Sequence, residues 1–220
     1  MAELRESFAQ DLKNLESKVI EMAEVVRKML NGEVAAFRQK NEKALDEVIT
    51  LDDTVDKYNF EIESRCLELI ALQQPMAKDL RTIASIMRMI NDLERMGDYS
   101  VDVAKFMKRM IKEEALPLSE KVYAIESAVE KMLDETLRAF ANRDLALVSE
   151  MIKDDDFIDD SFRSLFEEVV ATINQKPTLA RQAIWLLMVA RYLERIADHI
   201  TNVGERIYYM ETGEIKELHV

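Results

Sequence analysis

Apolar residues recur every third or fourth position along almost the whole chain, a spacing that admits long amphipathic helices and little else. Punctuation is sparse, with 4 glycines and 3 prolines in 220 residues, far too few for the turns of a many-stranded β protein. The commonest apolar and charged residues are helix formers. Six helices are expected. The first carries Leu4, Phe8, Leu12, Leu15, Val19, Met22, Val26 and Met29 and ends near Phe37. The second carries Leu45, Val48, Val55, Ile62, Cys66 and Leu69 and ends at Gln74–Pro75. The third runs from about Met76 to Ile111, with Leu80, Ile83, Met87, Ile90, Leu93, Gly97, Val101 and Ala104 inward. Pro117 opens a fourth, from Leu118 to about Phe140; a fifth spans roughly 144–174; a sixth follows Pro177 and ends near Met210. Short turns make sequential helices antiparallel neighbours.

The second half repeats the first. NDLERMGDYSVDV (Asn91–Val103) aligns with RYLERIADHITNV (Arg191–Val203) at an offset of 100. Upstream, Asp52-Asp53-Thr54-Val55-Asp56 aligns with Asp155-Asp156-Phe157-Ile158-Asp159, and Pro75 with Pro177. A repeat of this length is a duplicated domain rather than a solenoid. The expected fold is all-α: two tandem three-helix bundles, residues 1–114 and 115–220.

The duplication carries a pattern of acids. Glu94, Asp98 and Asp102 are spaced four apart on the third helix, and Glu194, Asp198 and Asn202 on the sixth, with Glu205 nearby. Such spacing stacks side chains on one face, here beside the core stripe. On the second helix Asp52 interrupts the apolar pattern and Asp56 follows one turn on; Asp155 and Asp159 do the same on the fifth. Hairpins turning at Gln74–Pro75 and Lys176–Pro177 set Asp56 and Asp52 opposite residues near 93 and 97. They set Asp159 and Asp155 opposite residues near 194 and 198. The register is good to about 4–5 Å, three residues at the helical rise. Carboxylates gathered this way repel one another unless a cation sits among them, and oxygen ligands suit Mg²⁺, Ca²⁺, Mn²⁺ or iron. The residues alone leave three readings open: a metal-carrying adaptor, a carboxylate-bridged metalloenzyme (oxidase or hydrolase), or a structural scaffold with a solvated acidic face. Arg95 and Arg195 adjoin the acids and offer surface ion pairs, the bland alternative to a metal.

Composition trims the field. The net charge of −13 argues against nucleic acid, which needs clustered Lys and Arg. The longest apolar run, Ala183 to Ala190, is far short of the roughly 20 residues of a membrane span, and the N-terminus lacks a signal-peptide core, so a cytoplasmic protein is expected. The single cysteine, Cys66, is expected to be a small buried hydrophobe, Trp185 a core residue, the 13 methionines core packing, and His219 part of a tail. His199 follows Asp198, but its counterpart is Tyr99, which favours packing over ligation. No catalytic nucleophile, phosphate loop or histidine ligand set appears.

LIALQQPMAKDLRTIASIMRMINDLERMGD (Leu69–Asp98) and ARYLERIADHITNVGE (Ala190–Glu205) resemble the two signatures of the PhoU family of phosphate-signalling regulators. The resemblance implies two tandem three-helix bundles, often paired as a homodimer. It implies a non-enzymatic negative regulator acting between the ATPase subunit of the phosphate ABC transporter and a sensor histidine kinase. It also implies iron or zinc clusters in some members, carried over to Glu94-x-x-x-Asp98 and Glu194-x-x-x-Asp198 with Asp52/Asp56 and Asp155/Asp159 facing them. The family motif usually continues Asp-His and then Asn. The second copy keeps this as Asp198-His199 and Asn202, whereas the first has Tyr99 and Asp102, a more acidic set suited to a harder cation.

Overall fold

A computed structural model of the chain describes residues 2–113 and 119–217, with side chains from residue 6 onward. Among the described residues there are six α-helices and no strand. They are α1 (Ala2–Arg38), α2 (Glu42–Gln73), α3 (Lys78–Lys112), α4 (Glu120–Asn142), α5 (Leu145–Gln175) and α6 (Ala180–Thr212). A single 3-10 turn, Pro177–Leu179, leads into α6. Pro117, the division at 114/115 and His219 lie outside the described residues.

Local chemistry sets the helix ends. Asn41, Ser119 and Asp144 cap α2, α4 and α5, each accepting a hydrogen bond from a backbone N–H of the first turn. At the C-termini Gln74, Arg143 and Gly213 adopt left-handed backbone, and each N–H closes back on the last turn. Pro75 and Pro177 follow two of the helix ends and prevent continuation.

The stripe expected on α2 is the buried one: Leu45, Val48, Val55, Ile62, Cys66 and Leu69. Burial pushes the Cys66 thiol up to about 12, so it stays a protonated apolar filler. Met22, Met29, Met89, Met96 and Met132 are fully buried, as core packing requires. Two expectations change. Leu80, in the first turn of α3 at the end of the bundle, is exposed. Trp185 is only half-buried and Ile184 is exposed, because Ala183, Leu186, Val189 and Ala190 already fill the core-facing stripe of α6.

The halves do not stand apart; one continuous core runs through both. They meet along two antiparallel seams. The larger joins α3 to α6, the most extensive helix–helix interface in the molecule. It is bracketed by Lys78–Glu211 at 2.7 Å and by Arg181–Glu113 at 4.0 Å. The smaller joins α1 to α4 and is pinned by Arg143–Glu16 and by Arg27–Asp134 at 3.4 Å.

Candidate functional site

In the first half, the α2–α3 hairpin brings Asp52, Asp56, Glu94 and Asp98 together. Asp52 lies against Gly97: a Cβ built on that glycine would sit 2.9 Å from Asp52 Oδ1. This is the level expected from the turn. Glycine therefore does a specific job at residue 97, making room for a carboxylate on the neighbouring helix. Asp52 Oδ1 is buried and accepts no hydrogen bond. Burial, then the charges of Asp56, Asp98 and Glu94, push the Asp52 carboxyl up to about 6. Glu94 is also raised, by burial and then by Asp98. Arg95 compensates in part, holding Asp98 at 3.0 Å and Glu94 at 3.6 Å.

The second half repeats this around Glu194, Asp198 and Asp159. Glu194 is 8% exposed, and its Oε2 is buried without a partner. Burial and then Asp198 push its carboxyl up to about 7, against the opposing pull of Arg191. Arg195 holds Asp198 at 2.9 Å, and Arg163 draws Asp159 outward at 3.2 Å. Asp155 meets α6 within the three-residue register of the turn, its Oδ1 accepting from Thr201 Oγ1 at 3.4 Å. Position 197 is alanine and buried, so this hairpin leaves space for a side chain that the first does not.

Asp102 and Asn202 belong to neither cluster; the structure places both on the α3–α6 seam. Asn202 Nδ2 donates to Asp92 at 3.2 Å, and His199 Nδ1 lies 2.8 Å from the same oxygen. Asp102 lies against the Tyr192 hydroxyl, whose pKa burial and then this carboxylate raise, and pairs with Lys105 at 3.5 Å. Tyr192 stacks on Tyr99 with ring centroids 5.7 Å apart, and Tyr99 and His199 are also 5.7 Å apart. The pairs follow the repeat. Residue 92 meets 199 and 202, residue 192 meets 99 and 102, and residues 99 and 199 meet each other. An approximate twofold axis thus passes between Tyr99 and His199. The apparent departures of the first copy from the second are two halves of one asymmetric joint. Asp92→Ala, which strips the acceptor from His199 and Asn202, should cost about 1–3 kcal/mol in chemical denaturation, the price of unpaired half-buried donors. Nothing in the sequence periodicity marks Asp92 or Tyr192; only the repeat-to-repeat alignment could have found them.

Oxygen donors dominate both clusters, and two of those oxygens, Asp52 Oδ1 and Glu194 Oε2, are buried and unpartnered. In kind this fits a hard or borderline cation. In geometry, no three His, Cys, Asp or Glu groups converge on a metal-sized point among the described residues. The cause is local: Arg95, Arg195 and Arg163 pull the motif aspartates toward themselves. A cation would have to displace these guanidinium groups.

A duplicated all-α bundle, with matching acidic motifs on its third and sixth helices and a pseudo-twofold seam between them, defines a small class of helical proteins. The family model "PhoU domain" matches this chain twice, at residues 19–107 and 124–207. The chain belongs to the PhoU family. It is 33% identical over 98% of its length to a "Phosphate-specific transport system accessory protein PhoU homolog" of Clostridium acetobutylicum, covering 99% of that protein. It is 34% identical to the protein of the same description from Aquifex aeolicus, with 96% of each chain covered. The crystal structure of PhoU from Pseudomonas aeruginosa superposes with a TM-score of 0.90 at 30% identity, over 94% of this chain and all of that one. The phosphate transport system regulatory protein PhoU from Streptococcus pneumoniae gives 0.88 at 29% identity, over 95% and 99%.

Proposed function

We propose that this chain is an accessory protein of phosphate-specific transport and a non-enzymatic negative regulator of phosphate uptake and phosphate-starvation signalling. It acts in the cytoplasm as an adaptor, a homodimer that joins the ATPase subunit of the phosphate ABC transporter to the sensor histidine kinase. The observation that carries this reading is the full-length match to accessory proteins of that transport system, on a fold with the same two repeats. No described helix is long and apolar enough to cross a membrane, in keeping with a partner that meets the transporter from one side.

The acidic clusters are the proposed regulatory sites. Asp52, Asp56, Glu94 and Asp98 would hold one cation or cluster, and Glu194, Asp198 and Asp159 another, with Asp155 a turn away. Iron, zinc, magnesium, manganese and calcium are the candidate ions. Asp102 and Asn202 would serve from the seam, tying each site to the joint between the halves. The duplicated, partly buried acids favour this reading over a solvated face.

The purified protein should carry stoichiometric metal by elemental analysis, or gain thermal stability on titration with Mn²⁺ or Fe²⁺. A gain near 2.7 kcal/mol is expected at a hundred times the dissociation constant. The pair Asp98→Asn with Asp198→Asn should abolish it. Immobilised protein should retain the transporter ATPase and the sensor kinase. Unchanged metal content and unchanged kinase inhibition in the double variant would rule out the cation sites. Failure to retain either partner would rule out the adaptor.

A further inference from the structure

Away from the acidic motifs, the α1–α4 seam contains a second, unlike group of acids. Glu33 of α1 is 0% exposed, and neither of its carboxylate oxygens has a partner. It faces Glu126 and Glu130 of α4, two acids one turn apart that act on each other. No charge from α2 or α3 bears on Glu33, and Arg38, the cation that acts on Glu126, lies over the Tyr123 ring at 4.5 Å. Above and below this level the seam is closed by opposite charges, Arg143–Glu16 and Arg27–Asp134. At this level like charges meet instead, in the least extensive of the helix–helix interfaces that join or build the two halves.

An ionised carboxylate cannot stay in such a place unpaired; it takes a proton or the place opens to water. Both oxygens of Glu33 are enclosed and unpartnered, and the ligand that suits such a place is a proton. We propose that Glu33, with the Glu126–Glu130 pair across from it, is a proton-held latch on the α1–α4 seam, closed when Glu33 is protonated and loosened when it ionises. Burial drives the carboxyl of Glu33 well above the ordinary range, with the charges of Glu126 and Glu130 adding to it. Burial and then the neighbouring Glu130 bring Glu126 to about 8. The direction follows. A carboxyl raised in the folded state binds a proton that the unfolded chain has released, so its stabilising contribution is complete in acid and is lost as pH rises through the folded value. For Glu126 the loss accumulates above the ordinary value of 4.5 and is complete near pH 8. The latch is thus closed in acid and loosens as pH rises. The latch is independent of metal and of the phosphate-system reading, since it uses neither the motif acids nor any partner.

The test compares the whole wild-type chain with Glu33→Gln and Glu126→Gln by thermal melting from pH 5 to 9 and by hydrogen exchange of α4 at pH 6.5 and 8.5, corrected for intrinsic rates. Acids of the motif sites titrate in all three proteins and cancel in the comparison. Wild type should lose melting temperature across the range more steeply than Glu33→Gln, by about one proton's worth of linkage. Its α4 amides should lose protection at least tenfold between the two pH values, while those of Glu33→Gln should not. Parallel pH profiles for wild type and both variants would overturn the latch. So would stabilisation of wild type at pH 8.5 by Mg²⁺ or Ca²⁺ that Glu33→Gln lacks, since the ligand would then be a cation. Should Glu33→Gln fail to fold, Glu126→Gln decides alone: a wild-type slope in that variant refutes the proposal.

Discussion

Replacing Asp52 by Asn and Glu194 by Gln together should raise the stability of the protein by about 3 kcal/mol at pH 8. The basis is the pair of buried oxygens that have no partner. The Asp52 carboxyl stands near 6 against an ordinary 3.8, and Glu194 near 7 against 4.5. At about 1.4 kcal/mol per unit these displacements would exceed 6 kcal/mol in total. Both sites retain some solvent, and Glu194 keeps Arg191, so roughly half of that is realised. Both carboxyls are raised by folding. Their protonated forms do no harm in acid, and the penalty grows as pH climbs through 6 and 7. The gain should therefore be absent at pH 4 and complete by pH 8, where the melting temperature should rise by roughly 6–12 °C for a chain of this size. A gain of equal size at pH 4 would show that packing, not charge, was responsible. The same pair should lose whatever stabilisation a divalent cation gives wild type. That combination, more stable without metal and indifferent to it, marks acids retained for a purpose other than holding the fold.

Gly97→Leu should have the opposite effect, a loss of about 3 kcal/mol and a fall in melting temperature of roughly 6–12 °C. Elsewhere a glycine in mid-helix is a weakness, and filling it gains about 1 kcal/mol. Here the first added carbon would already stand 2.9 Å from Asp52 Oδ1 and 3.3 Å from Val55 Cγ1. A full leucine side chain must push α2 off α3 at the level of the cluster. Ala197→Gly in the other half tests the asymmetry. It should cost only the usual helix propensity, about 1 kcal/mol, plus the packing of one methyl group. Equal losses at the two positions would mean that the hairpins are equivalent and that Asp52 has no special claim on the space.

Much of the fold was legible because helices declare themselves locally. The α2 stripe from Leu45 to Leu69 and the turn at Gln74–Pro75 both follow from residues within one or two turns of each other. The meeting of Asp52 with the Gly97 level followed as well, because a tight hairpin fixes the register of both its arms. Legibility failed where the partner was distant in sequence. Asn202 and Asp102 read as members of the acidic rows, since i,i+4 spacing is all a single helix can show; the side of the helix they occupy turned them to Asp92 and Tyr192 across the seam. Leu80 and Trp185 read as core because they are apolar within helical runs, yet one lies at the bundle end and the other off the filled stripe. Glu33 carried no signal at all among 43 acids.

Alone, the sequence determined the helices, their duplication, the two turns and the presence of paired acids on neighbouring helices, each a matter of short-range geometry. Tertiary structure decided how the two copies face one another. Packing α3 against α6 about an approximate twofold turned the mismatched residues at 99 and 199, and at 102 and 202, into one joint. Packing α1 against α4 buried Glu33 against Glu126 and Glu130. Those outcomes depend on which helix faces cover one another over roughly 90–110 residues of separation, and burial, which sets the cost of a charge, exists only once they do.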